Sequence, residues 1–242
     1  MGLWPVVSSS LLVQLSPVND RQVGHPLIHL GYAYELHSRT VATEALALGA
    51  CFYSPIHKYI DDTSYTKPSL HPSRSLLDIL HKVKDDERFN GLYDHQSGDI
   101  SKVLEEREEA FLEYWNAWEL ADPKAQFEES QRTAVAILMG TEPPAKSKFD
   151  FFLVHLLTSS HAVRILLPLV PARFHVNLVR QWWLFTLAVY IAQMRPETSL
   201  DRIKDYDTQN KDWKFVLHNA LNSAHSLDAH FVKGACCSRS LL

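Results

Sequence analysis

Apolar residues recur at intervals of three and four along most of the chain, and strictly alternating runs are scarce. This pattern predicts helices rather than strands. Leu27, Ile28, Gly31, Tyr34 and Leu36 are expected to start a first helix, with Pro26 suited to its first turn. A break near His37-Ser38 and a second helix through Val41, Ala45, Leu48 and Phe52 are expected. The polar stretch 54–73 is punctuated by Pro55, Pro68 and Pro72. A short amphipathic helix over 73–84 follows, then a loop over 89–98.

From Asp99 to Leu120 the spacing predicts one strong helix, its charged face in water above Val103, Phe111, Trp115 and Trp118. Asp122-Pro123 reads as a cap followed by proline at the first helical position, opening a helix that reaches about Met139 and ends within 140–144. Ser147 is expected to cap the apolar helix around His155, which Pro168 stops. Pro171 restarts a helix through Trp182, Trp183 and Tyr190, ended by Arg195-Pro196. Shorter helices are expected over 213–222 and 227–236. No repeat or clear linker interrupts the series, so the fold class expected is all-α: an irregular multi-helix bundle in a single domain.

Composition narrows the function classes. The 242 residues carry 24 Lys+Arg against 28 Asp+Glu, a net charge of −4. No basic excess remains to neutralise phosphates, so no nucleic-acid partner is expected. Glycine numbers only 8 and no Gly-x-Gly occurs, which removes the dinucleotide-binding fingerprint and the phosphate-binding loop. Cys51, Cys236 and Cys237 form no disulfide framework, which points to a reducing, cytoplasmic setting. Met1 to Val18 lacks a basic leading segment and is broken by Pro5, so it does not read as a signal peptide. The stretch 149–170 holds His155, His161 and Arg164, and 182–194 is too short to span, so no membrane span is expected. Serine-based triad chemistry has no Gly-x-Ser-x-Gly elbow to rest on.

Histidine, at 13 residues, is the unusual count. His25 and His29 stand four apart, the spacing at which two imidazoles on one helix face can hold one metal ion, although the pair by itself reads better as a cap-like residue and a satisfied core histidine. His155 is flanked by six apolar residues and must be buried, where an imidazole needs a hydrogen-bond partner or a metal. His161 lies off that face and reads as structural. His230 and Lys233 share a face at i, i+3; a charged ammonium repels a metal, so Lys233 could ligate only when neutral or as a carbamate. His57, His71, His81, His95, His175, His218 and His225 read as solvated or structural. The cluster Trp182, Trp183, Phe185 and Tyr190 reads as core, with one edge able to serve a planar aromatic ligand.

Taken together, His25-Pro-Leu-Ile-His-Leu-Gly-Tyr-Ala-Tyr-Glu35, Glu44-Ala-Leu-Ala-Leu, Phe149-Asp-Phe-Phe-Leu-Val-His155-Leu-Leu-Thr-Ser-Ser, Arg195-Pro and Asp228-Ala-His230-Phe-Val-Lys233 resemble the fungal questin oxidase-like family. The resemblance runs from about Val23 to Gly234. Residues 23–242 are therefore expected to form the family's helical domain, in part, with 1–22 outside it. It implies an oxidoreductase of secondary metabolism acting on an aromatic polyketide of anthraquinone type. The reaction implied is O2-dependent ring oxidation or cleavage, a Baeyer–Villiger-type monooxygenase or a ring-cleaving dioxygenase. It implies NADPH as reductant and a non-haem iron held by histidines and a modified lysine. His25, His155, His230 and Lys233 fall on the motif positions, with His29 ranked below them, so these five are the expected metal ligands. His155 is also the expected catalytic residue, and would serve as a base in a metal-free, NADPH-dependent variant of the reaction.

Relatives carry an upstream His-Asn-His-x-x-His motif that this sequence lacks, which suggests a shortened gene model, a fragment or a decayed paralogue. The alternative expectation is thus a catalytically inactive paralogue that binds a hydrophobic ligand or partner protein through the Trp182-Trp183 region. If His25, His155, His230 and Lys233 serve one ion, their donor atoms should converge to within roughly 4–5 Å, since imidazole binds such ions at about 2 Å.

Overall fold

The computed structural model describes residues 24–51, 55–141 and 149–239. Twelve α-helices fill most of this chain: α1 (His25–Glu35), α2 (Arg39–Cys51), α3 (Lys58–Asp61), α4 (Leu76–Asp85), α5 (Ser101–Glu106), α6 (Glu108–Trp115), α7 (Pro123–Gly140), α8 (Phe151–Leu166), α9 (His175–Ala192), α10 (Asp201–Lys204), α11 (Trp213–Asn222) and α12 (Ala229–Arg239). The extended structure among the described residues is one isolated bridge between Ser73 and Trp118. No described helix is long and apolar enough to cross a membrane. The all-α, single-domain expectation is borne out.

α8 is the axis of the bundle. It packs against α1, α7, α9 and α12, and from Leu153 to Val163 every residue is buried. A helix apolar all round belongs inside a bundle, and this one sits there. α9 lies against it just as deep: Trp182, Trp183, Phe185 and Tyr190 are wholly inaccessible. The edge of this aromatic cluster expected to meet a ligand is therefore closed by packing, and the Trp182-Trp183 region offers no binding surface.

Local chemistry sets the helix ends. The Asp122 carboxylate accepts from the Lys124 and Ala125 backbone amides, and Pro123 follows it, as the sequence predicts. The cap of α8 is Asp150, whose carboxylate accepts from the amides of Phe152 and Leu153. Ser147, the expected cap, lies outside the described residues, as do Phe52, Ser54 and positions 142–144. The long helix expected over 99–120 is instead two. At Arg107 the backbone leaves helical geometry (φ −138°). Its guanidinium donates to the carbonyl of Glu106, at the end of α5, and to that of Arg88 in the turn before it. Asn116 then closes α6 by donating to Leu112 O and Tyr65 O, and Trp118 follows in the bridge to Ser73. Part of the polar stretch before α4 also has structure: Ile56 and Tyr59 are buried within short helical turns.

Arg195 has a clear structural task. Met194 and Arg195 adopt left-handed backbone (φ 67° and 51°) beyond α9. The Arg195 side chain then donates to the carbonyls of Val83, Lys84 and Asp86 at the C-terminal end of α4 and to Asn90 Oδ1. Cations are favoured at that end of a helix, where carbonyls lack partners.

Candidate metal centre

Three helices bring His25, His155 and His230 to one point. His25 is the first residue of α1, set by Gly24 in left-handed backbone (φ 84°) and by Pro26 in the first turn. His155 lies one turn into α8 and is 1% exposed. His230 is in the first turn of α12, where Asp228 Oδ1 accepts from the amides of His230 and Phe231. One ligand-capable atom from each of the three lies within 4.8 Å of the other two. The ring centroids of His155 and His230 are 5.0 Å apart, those of His25 and His155 5.1 Å.

The tautomer of His155 is fixed by its surroundings. Its Nδ1 stands 2.8 Å from the Phe151 carbonyl oxygen. A carbonyl only accepts, so Nδ1 carries the proton and Nε2 keeps its lone pair in the neutral ring. That Nε2 faces His25 Nε2 at 3.3 Å. Two nitrogens bound at about 2.0–2.1 Å to one tetrahedral ion stand about 3.3 Å apart. The Nε2 of His230 is buried and has no hydrogen-bond partner among the described residues, a state that costs about 1–3 kcal/mol unless something else satisfies it. An ion shared by the three rings would satisfy it.

Burial keeps the rings of His25 and His155 neutral. Burial, then the neighbouring His29, Lys233 and His230, lower the His25 pKa to about 4, against a small opposing effect from Glu44. Burial likewise takes His155 to about 3; its bond to Phe151 opposes this, while His25, His230 and Lys233 add to it. Neutral imidazole is the form that binds metal.

His29 and Lys233 flank this group. The His29 ring is 5.6 Å from that of His25, and its Nδ1 faces Glu44 Oε2 at 3.5 Å. Burial lowers its pKa, and Glu44 opposes. The Lys233 Nζ lies 5.5 Å from the centroid of the Tyr32 ring. Burial lowers its pKa, with Cys237 and Glu44 opposing. The Tyr32 hydroxyl in turn meets Cys237 Sγ at 3.5 Å.

His161 points elsewhere, as its position in the sequence implies. Its Nε2 pairs with Glu35 Oε2 at 2.9 Å and its Nδ1 accepts from Arg164. His175 is buried and donates to Val170 O, and His57 is buried too; both are structural. Sequence reasoning passed over Phe151. Its carbonyl orients His155 and its ring lies 4.8 Å from His155 and 4.7 Å from His230. The signal was present, because Phe151 stands four residues before His155 on the same helix face.

A family model described as questin oxidase-like matches residues 21–236. A search of curated proteins finds no match.

Proposed function

The chain belongs to the questin oxidase-like family, and from that premise we propose that it is an oxidoreductase acting on an aromatic polyketide of anthraquinone type, with O2 as oxidant. We place a first-row metal, iron in the first instance, on His25, His155 and His230, with His29 and Lys233 beside it. One observation carries this reading: three histidines from three helices present donor atoms within 4.8 Å of one another, and one of those rings has a buried nitrogen with no partner. Imidazole donors suit iron, and side chains on facing helices are a usual way to build a bundle metal site.

Iron held by His25, His155 and His230 would supply redox chemistry for the reaction with O2. The chain's own residues do the rest. The Phe151 carbonyl holds the proton of His155 on Nδ1 and so keeps Nε2 available. Burial and the charge of Lys233 keep His25 and His155 unprotonated at neutral pH. The apolar shell from α8 keeps water from the rear of the site. A metal-free reaction with His155 as general base is disfavoured, since a base held at about 3 is far weaker than one matched to neutral pH.

NADPH is the reductant where the reaction is a Baeyer–Villiger-type monooxygenation. With a ketone as substrate, one O2 and one NADPH with a proton give the ester, water and NADP+. Ring cleavage by a dioxygenase places both oxygen atoms in the product and consumes no NADPH. The test is O2 uptake by the iron-loaded chain with a panel of hydroxyanthraquinones, with and without NADPH, and product mass under 18O2. Substrate-dependent uptake with one or two labelled oxygens incorporated supports the reading. A chain that binds iron yet takes up no O2 with any member of the panel contradicts it.

A further inference from the structure

Phe151 is the one phenyl ring in contact with both His155 and His230 among the described residues, and it is half exposed, at 50%. Other phenyl rings are exposed as well, Phe215 and Phe231 among them, but none of these lies against both imidazoles. Phe151 is held in place from two sides. The Asp150 cap fixes the first turn of α8, and the ring is braced edge-on by Phe152 (centroids 5.5 Å, 86°) and by His155 (68°). Its remaining surface faces outward, one ring away from the histidine cluster. Leaving that much apolar area in water opposes folding, and among the described residues no ring contact beyond Phe152, His155 and His230 is made by Phe151.

We propose that the open face of Phe151 is the stacking platform that receives a planar aromatic ring of the substrate and sets the specificity of the site for flat, polycyclic molecules. This rests on the reading of the histidine cluster as the reaction centre. Aromatic rings pair in offset or edge-to-face fashion at centroid separations of about 4.5–7 Å. A flat ring on Phe151 is therefore placed next to the imidazoles of His155 and His230. Phe151 is a specificity-determining residue here and takes no part in proton or electron transfer.

The test compares the wild-type chain with Phe151→Leu, which keeps apolar bulk but removes the flat ring, and Phe151→Trp, which keeps one. Two probes are titrated by fluorescence quenching or calorimetry: 1,8-dihydroxyanthraquinone, which is planar, and camphor, which is apolar but not planar. Phe151→Leu should weaken anthraquinone binding by about two- to twelvefold and leave camphor unchanged, while Phe151→Trp keeps wild-type affinity or exceeds it. Equal anthraquinone affinity in wild type and Phe151→Leu overturns the proposal, as does a wild-type chain that does not bind 1,8-dihydroxyanthraquinone, or an equal loss for both probes. Co(II) is titrated into the same three proteins. Failure of Co(II) to bind the wild type removes the metal reading while Phe151-dependent stacking stands. Co(II) binding together with Phe151-independent anthraquinone binding removes the platform and leaves the metal reading.

Discussion

Gly31 of α1 lies directly on Ala162 of α8: a β-carbon on Gly31 would fall 2.6 Å from both the Cα and the Cβ of Ala162. Such closeness holds the two helices together one to two turns beyond His25 and His155, whose Nε2 atoms meet at 3.3 Å. The absence of a side chain at Gly31 is thus part of how the histidine cluster is built.

Gly31→Ala must push the helices apart, because the obstructing atoms include backbone. We expect a loss of about 1–3 kcal/mol in stability, the usual cost of overpacking. Weaker Co(II) binding should accompany it. Urea unfolding and Co(II) titration check the two effects, and unchanged metal affinity would show that the Gly31 contact does not set the His25–His155 distance.

Arg195 caps α4 far from the histidines. Arg195→Met leaves three carbonyl oxygens and Asn90 without their charged donor. The expected cost is about 2–4 kcal/mol, given about 1.5–3 kcal/mol for a hydrogen bond to a charged group and partial rescue by water. Co(II) affinity of the folded variant should not change, which separates this part of the family pattern from the chemistry.

Asp86 gives a pH dependence. Burial alone would raise its carboxyl pKa, but hydrogen bonds from the Arg88 side chain and amide and from Tyr114 outweigh this and hold it at about 2. A depressed carboxylate stabilises the fold fully above its unfolded pKa of about 3.9, and that contribution is lost as pH falls toward 2. Asp86→Asn should therefore destabilise the chain at pH 7 by about 1.5–3 kcal/mol, and the gap to wild type should shrink between pH 4 and pH 2. A gap that stays constant over that window contradicts the assignment.

His29 and His230 should differ. The His29 Nδ1 is turned toward Glu44 and His29 stands outside the group of three converging donors. His29→Ala is expected to cost Co(II) affinity no more than the ten- to hundredfold, approximately, of an outer partner, whereas His230→Ala should cost more than that. The reverse order would make His29 a ligand in place of His230.

Much of the fold is legible in the sequence because helix ends are local chemistry. Asp122-Pro123, Pro26 and the His37-Ser38 break are read from neighbouring residues alone, and α8 declares its burial by being apolar on every face. The break at Arg107 is not legible, since it depends on the Arg88 carbonyl brought close by tertiary packing. The burial of Trp182 and Trp183 is legible in kind but not in degree. The site is legible only in pieces. A histidine within Phe151-Phe-Leu-Val-His155-Leu-Leu announces a buried imidazole, and the family pattern marks His25 and His230. Their convergence rests on the crossing of α1, α8 and α12, which no spacing within one segment encodes. The roles of Gly31 and Phe151 follow from that crossing as well.

Whether His25, His155 and His230 form one metal site is decided by titration of the metal-free chain with Co(II), followed by visible absorption and by metal analysis after desalting. One ion per chain is expected, with imidazole-type ligand-field bands that are lost in His25→Ala, His155→Ala and His230→Ala alike. No binding by the folded wild-type chain, or binding that survives removal of His155 and His230, would contradict that expectation.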